Sequence, residues 1–146
     1  MEKISKLSLA GLGLLVAYEI LPIQYHKVKG NSMAPTIHDG DVIIGEGFLN
    51  IEQRIEHADI VIFSPPGDQS VLYVKRVYGL PNEYYETKKL GEHEYWVLGD
   101  NKEHSADSRE FGPINNIGEK VIAIYCTHQY KLFPSSEVKA AEIEKK

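Results

Sequence analysis

The sequence predicts a mainly β domain behind an N-terminal membrane-anchor helix, and three observations carry that expectation. Short apolar runs of strand length recur between residues 24 and 134. Clusters of turn-forming residues separate them, and no stretch there sustains a 3.6-residue apolar period. Ahead of them, the segment 7–23 (LSLAGLGLLVAYEILPI) is almost wholly apolar.

In that segment, seventeen residues carry one charge, Glu19. As a helix they span about 25 Å, slightly short of a ~30 Å hydrocarbon core. Pro22 ends such a helix near Leu21. Residues 1–23 are therefore assigned to a membrane anchor. A cleaved signal peptide lacks the expected small-residue cleavage site, and a buried or interfacial helix is the other reading. Lys3 and Lys6 before the run and Lys27 and Lys29 after it are too evenly split for the positive-inside rule to set an orientation.

Five runs have strand length and are rich in β-branched or aromatic residues. They are 41–45 (DVIIG), 59–63 (DIVIF), 71–78 (VLYVKRVY), 94–98 (EYWVL) and 120–126 (KVIAIYC). The separators are turn chemistry: His38-Asp39-Gly40, Ser64-Pro65-Pro66-Gly67-Asp68, Gly79-Leu80-Pro81-Asn82, Gly99-Asp100-Asn101 and Phe111-Gly112-Pro113. Residues 24–134 read as one domain without internal repeats, and 135–146 as a charged tail.

Composition narrows the function. The 146 residues hold 16 Lys+Arg against 21 Asp+Glu, a net charge of −5, with no basic stripe. Nucleic acid is not an expected partner. A lone cysteine, Cys126, excludes an internal disulfide and a cysteine metal cluster. Neither an HExxH motif nor a closely spaced histidine pair occurs among the six histidines. No metal or organic cofactor is expected.

Two stretches carry more than packing requires. Ser32 sits in the tight turn Gly30-Asn31-Ser32-Met33-Ala34-Pro35-Thr36, just after the apolar segment. Turn serines commonly bond only the local backbone. Lys75 lies within VLYVKRVY, where alternation puts it on one face with Val71, Tyr73 and Val77, and Arg76 on the other. On an edge strand a lysine snorkels to water. On the apolar face of an inner strand, burial disfavours its charged form and lowers its pKa from about 10.4. A neutral amine is what a serine hydroxyl needs where no histidine serves as base. A third stretch, 99–109 (GDNKEHSADSR), has the short polar side chains of a loop held by its own hydrogen bonds.

At these residues the chain resembles the type I signal peptidases, membrane-anchored Ser–Lys endopeptidases. The matching segments are SMAPT (32–36), DGDVI (39–43), VKRVYGLP (74–81) and GDNKEHSADSREFGP (99–113), in the family's order. Within the family, the short interval from Ser32 to Lys75, the lack of a long insertion before Gly99, and Ala17-Tyr18-Glu19 resemble the mitochondrial inner membrane proteases, most nearly the subunit 1 type. The resemblance implies a signal-peptidase-like β-rich core, related to the LexA-like catalytic fold. It implies Ser32 as nucleophile, Lys75 as general base, Ser105 hydrogen-bonded to the Lys75 amine, and Asp107 and Arg109 as a structural ion pair. The Ser32 backbone N–H is the implied oxyanion donor, with Gly30 where some bacterial members carry a hydroxyl. Met33 either touches substrate or bilayer or simply packs.

Two positions depart from the family's pattern. Asn82-Glu83 stands where Gly-Asp is common, and Ala58-Asp59 replaces Gly-Asp before the strand at residue 60. The expected activity is removal of N-terminal signal or sorting peptides from preproteins at the mitochondrial inner membrane, facing the intermembrane space. The expected assembly is a hetero-oligomer with a related protease subunit. Three alternatives stand beside it: a bacterial signal peptidase acting on secreted preproteins at the plasma membrane, a non-catalytic subunit of a membrane protease complex, and a LexA-type self-cleaving regulator. The last lacks room for a DNA-binding domain ahead of Ser32.

Overall fold

A computed structural model describes residues 23–47, 51–129 and 131–134. The expected anchor up to Pro22 and the charged tail 135–146 lie outside the described residues. Among the described residues, no helix is long and apolar enough to cross a membrane.

The architecture is mainly β. Strands β1 (Ile23–Lys27), β2 (Val42–Glu46), β3 (Ile60–Phe63), β4 (Tyr73–Gly79), β7 (Trp96–Leu98), β8 (Glu119–Cys126) and β9 (Lys131–Pro134) form an antiparallel sheet. Its order is β1-β2-β8-β3-β4-β7, with β9 pairing the end of β8. A small hairpin, β5 (Tyr84–Tyr85) and β6 (Lys88–Lys89), stands apart, and one helical turn, α1 (Ser108–Phe111), follows β7.

All five runs expected to be strands contain one. The additional strands had weak signals for a physical reason. β1 (IQYHK) is a mostly exposed edge strand whose polar side chains face water. It begins at Ile23, the last residue given to the anchor. β5 and β6 are two residues each, too short for alternation to register.

β3 explains how the sheet covers itself on both faces. Its four residues are all buried, as its unbroken IVIF run suggests. Val61 and Phe63 join a core with Val77, Tyr95, Val97, Ile114 and Ile117. Ile60 and Ile62 join another, with Val28, Met33, Ile37, Ile43, Val121 and Ile124. Met33 belongs to that second core at 1% exposure, so it packs rather than facing outward. β1 is tied down across β2 by His26, whose Nε2 lies 2.9 Å from the Glu119 carboxylate. That carboxylate crosses β2 over Gly45, where a β-carbon would strike it.

Both departures from the family pattern fall at left-handed backbone. Asn82 has φ +66° and Ala58 φ +67°. Asparagine tolerates this conformation; alanine pays a β-carbon clash of roughly 1–2 kcal/mol. Ala58 is held there because its N–H donates to Val77 O and its carbonyl accepts from Arg76. Ala58→Gly is expected to stabilise the protein by about 1 kcal/mol, read as a higher midpoint in chemical denaturation of the full chain.

Candidate active site

The 30–41 segment makes a compact, anchored turn. Asp39 Oδ1 accepts from Gly30 N–H at 2.7 Å, and Asn31 Oδ1 accepts from Asp39 N–H at 3.1 Å. Ile37 N–H donates to Met33 O, and Met33 and Ile37 insert into the core. The side chain of Ser32 is thereby fixed at the sheet surface. Among the described residues, the Ser32 N–H engages no acceptor.

Lys75 lies in β4 opposite Val61 of β3, beside Tyr73 and Val77. It is 4% exposed. Its Nζ sits 2.8 Å from Ser32 Oγ, 2.9 Å from Val74 O, and 5.2 Å from the centre of the Tyr73 ring. Burial pushes the amine down to about 8, while the Asp107 and Asp100 carboxylates pull it partly back up. A lysine in this state exchanges its proton near neutral pH. When the amine is neutral, the Ser32 hydroxyl can donate to its lone pair, the arrangement needed to raise the nucleophilicity of Oγ.

The loop after β7 closes over the turn. Asn101 N–H donates to Ser32 O at 3.0 Å, and Asn101 Nδ2 donates to Asn31 O at 3.0 Å. Gly99 permits this approach, because a β-carbon there would collide with Ser105 and with the Ser32 carbonyl. Asp107 is fully buried and caps α1. Burial alone would raise its carboxyl, but bonds from the Arg109 side chain and the Gly99 N–H outweigh that and bring it to about 2. The Arg109 guanidinium reaches both its oxygens, at 2.9 and 2.8 Å.

Ser105 differs from expectation. Its hydroxyl is buried against Gly99 and makes no hydrogen bond to Lys75. The amine is already engaged by Ser32 Oγ and Val74 O.

The sequence reading missed the group that joins these pieces. Arg76, on the opposite face of β4 from Lys75, is 2% exposed. Its Nε and Nη2 donate to the two oxygens of Asp100 at 2.9 and 2.7 Å, and it also reaches Ala58 O and Thr36 Oγ1. One guanidinium thus ties the serine turn, the segment leading into β3 and the β7 loop together. A signal was present: an arginine inside an apolar strand must be paired if buried, and Asp100 stands in a motif already singled out. Asn101 in the same motif was likewise passed over.

A cleft of about 700 Å³ runs past the dyad, lined by residues 25–29 on one side and 72–75 on the other, with Ile43 and Ile62 among its lining. Both walls offer free backbone. Among the described residues, β1 pairs only with β2, and β7 reaches no further along β4 than Arg76.

With this geometry in hand, similarity to known proteins places the chain. It matches the family described as "Signal peptidase, peptidase S26" over residues 1–89 and 82–125. The chain belongs to the signal peptidase S26 family. It is 32% identical over 117 residues to mitochondrial inner membrane protease subunit 2 of Saccharomyces cerevisiae, an alignment covering 68% of this chain and 66% of that protein. To the human mitochondrial inner membrane protease subunit 1 it is 36% identical over 96 residues, covering 59% of this chain and 58% of the relative. To signal peptidase I V of Bacillus subtilis it is 31% identical over 130 residues, covering 61% and 76%. The chain thus spans about three fifths to two thirds of the length of the mitochondrial relatives it matches.

Proposed function

We propose that this S26 member is a membrane-bound serine endopeptidase that removes N-terminal signal or sorting peptides from preproteins. The observation that carries the reading is the buried Lys75 amine 2.8 Å from Ser32 Oγ. Lys75 takes the hydroxyl proton as Oγ attacks the scissile carbonyl carbon. The free Ser32 N–H faces the developing oxyanion, where an aimed donor typically contributes a few kcal/mol. Protonated Lys75 then passes its proton to the leaving amine, and a water activated by the same amine hydrolyses the acyl-enzyme. Asp107, Arg109 and Ser105 are positioning residues that shape the loop against which the serine turn rests.

The two free backbone edges suit a substrate that enters extended and pairs with β1, β4 or both, with side chains resting over Ile43 and Ile62. Residues up to Pro22 anchor the chain, and 23–134, opening with β1, carry the peptidase. The named relatives support a mitochondrial inner membrane site and a second related protease subunit as partner; a catalytic domain facing the intermembrane space is what the sequence resemblance implies. The Bacillus relative favours the second reading, a signal peptidase at a bacterial plasma membrane, with the same chemistry.

The test is a pH–rate profile of the full chain in detergent, cutting a peptide that spans a signal-cleavage junction. A base titrating at about 8 in the free enzyme is about a tenth deprotonated at pH 7. The value of kcat/KM is expected to rise about tenfold per pH unit below that point and to level off above it. A profile flat from pH 6 to 9 overturns the Lys75 assignment.

A further inference from the structure

A second cluster of chemically capable side chains lies where the β8–β9 turn meets the end of the serine-bearing segment. One ligand atom each from Asp41, Cys126 and His128 lie within 4.8 Å of one another. The His38 ring lies beside two of them: its Nδ1 is 3.9 Å from Asp41 Oδ2, and its ring packs edge-on to that of His128 at 6.0 Å. We propose that Asp41, Cys126, His128 and His38 form a tetrahedral site for zinc, separate from the Ser32–Lys75 pair.

The donor set argues for the metal. One thiolate, two imidazoles and one carboxylate suit a borderline ion such as Zn²⁺ far better than Mg²⁺ or Ca²⁺, which take oxygen ligands. The carboxylate is prepared for the task. Hydrogen bonds from the His38 N–H, the Thr127 N–H and the Thr127 hydroxyl hold it in one orientation. Oδ1, 3.8 Å from His128 Nδ1, takes both Thr127 donors, whereas Oδ2, 3.9 Å from His38 Nδ1, takes only the His38 N–H and keeps a lone pair. Those bonds orient the carboxylate as outer partners do in zinc sites.

Geometry needs little adjustment. Ligand atoms about 2.0–2.3 Å from a tetrahedral ion lie roughly 3.5 Å apart. Asp41 is buried and fixed, while the His128 and His38 side chains are 68% and 44% exposed and can rotate inward. Cys126 ends β8 and His128 follows two residues later, so the turn delivers both to one place. Binding replaces the S–H bond of Cys126 with S–Zn and releases that proton to solvent, so affinity rises with pH. The ion would join the β8–β9 turn to the segment that carries Ser32, acting on stability rather than on the reaction.

The experiment uses the untagged full chain in detergent, titrated with Co²⁺ and then competed with Zn²⁺. One cobalt per chain is expected, with a thiolate charge-transfer band and tetrahedral visible bands, both removed by Zn²⁺. Cys126→Ser should abolish the charge-transfer band. His128→Asn and His38→Asn should each weaken binding at least about tenfold, whereas His93→Asn, remote and exposed, should leave it unchanged. Saturating Zn²⁺ should raise the thermal midpoint of the parent chain and not that of Cys126→Ser. Absence of the charge-transfer band, or affinity undiminished in any of the three site variants, overturns the proposal. So does an equal loss in His93→Asn. Peptidase activity is unaffected by these outcomes, so the proteolytic reading stands or falls separately.

Discussion

Lys75→Met is expected to lower kcat by at least about 10³-fold while leaving KM within a few-fold of the parent. The amine touches Ser32 Oγ and the Val74 carbonyl, and in the proposed mechanism it acts on the hydroxyl rather than on the peptide. General-base catalysis typically supplies 10²–10⁴-fold, and in the proposed mechanism the same group also returns the proton to the leaving amine. Methionine has nearly the same length and needs no hydrogen bond, so a buried ionisable group is exchanged for a compatible apolar one and the fold should be retained. Lys75→Arg should be equally inactive despite keeping the charge, because a guanidinium does not give up its proton. Nucleophile and base work as a unit, so Ser32→Ala, Lys75→Met and the double variant should fall to similar residual rates. Cleavage of the junction peptide followed by mass spectrometry, with circular dichroism as a check on folding, decides it. More than a tenth of parental activity in folded Lys75→Met would remove the lysine from the mechanism.

Asp100→Asn is expected to cost roughly 3–5 kcal/mol, the usual penalty for breaking a buried ion pair by removing one partner. Both partners are enclosed: the Arg76 and Asp100 side chains are 3% and 0% exposed. A domain's whole stability is about 5–15 kcal/mol, so the thermal midpoint should drop by about 10 °C or more. The double variant Arg76→Met/Asp100→Leu should recover most of that loss, because it removes both charges together. Recovery of activity should lag behind, since the links from Arg76 to Thr36 and Ala58 are gone. The pH profile gives a second readout. Asp100 raises the Lys75 amine, so its neutralisation should move the ascending limb below pH 8. A midpoint within 2 °C of the parent, with an unmoved limb, would mean the pair does neither job.

These two expectations rest on different kinds of legibility. Lys75 was readable because it interrupts an apolar run with a residue whose strand face follows from simple alternation. The Asp100–Arg76 bond was not, although both residues stood in motifs already singled out. Pairing across 24 positions depends on which face of β4 the β7 loop folds over, and no local pattern encodes that. Ser105 is the converse case. Its place in the loop followed from the resemblance, and the amine's hydrogen bonds run to Ser32 Oγ and Val74 O. β1 escaped notice because an edge strand with one wet face does not alternate clearly, yet it supplies half of the cleft wall.

Local chemistry decided the mainly β character, the strand runs and the turns between them, since side-chain period and turn preference act over a few residues. The order of the four motifs was enough to indicate the family. Tertiary structure alone decided the meeting of Ser32 and Lys75 across 43 positions, the depressed basicity of that amine, and the clustering of Asp41, Cys126 and His128 at a strand end. Burial and electrostatic partnership are properties of packed neighbours, and neighbours are set by how the sheet is ordered.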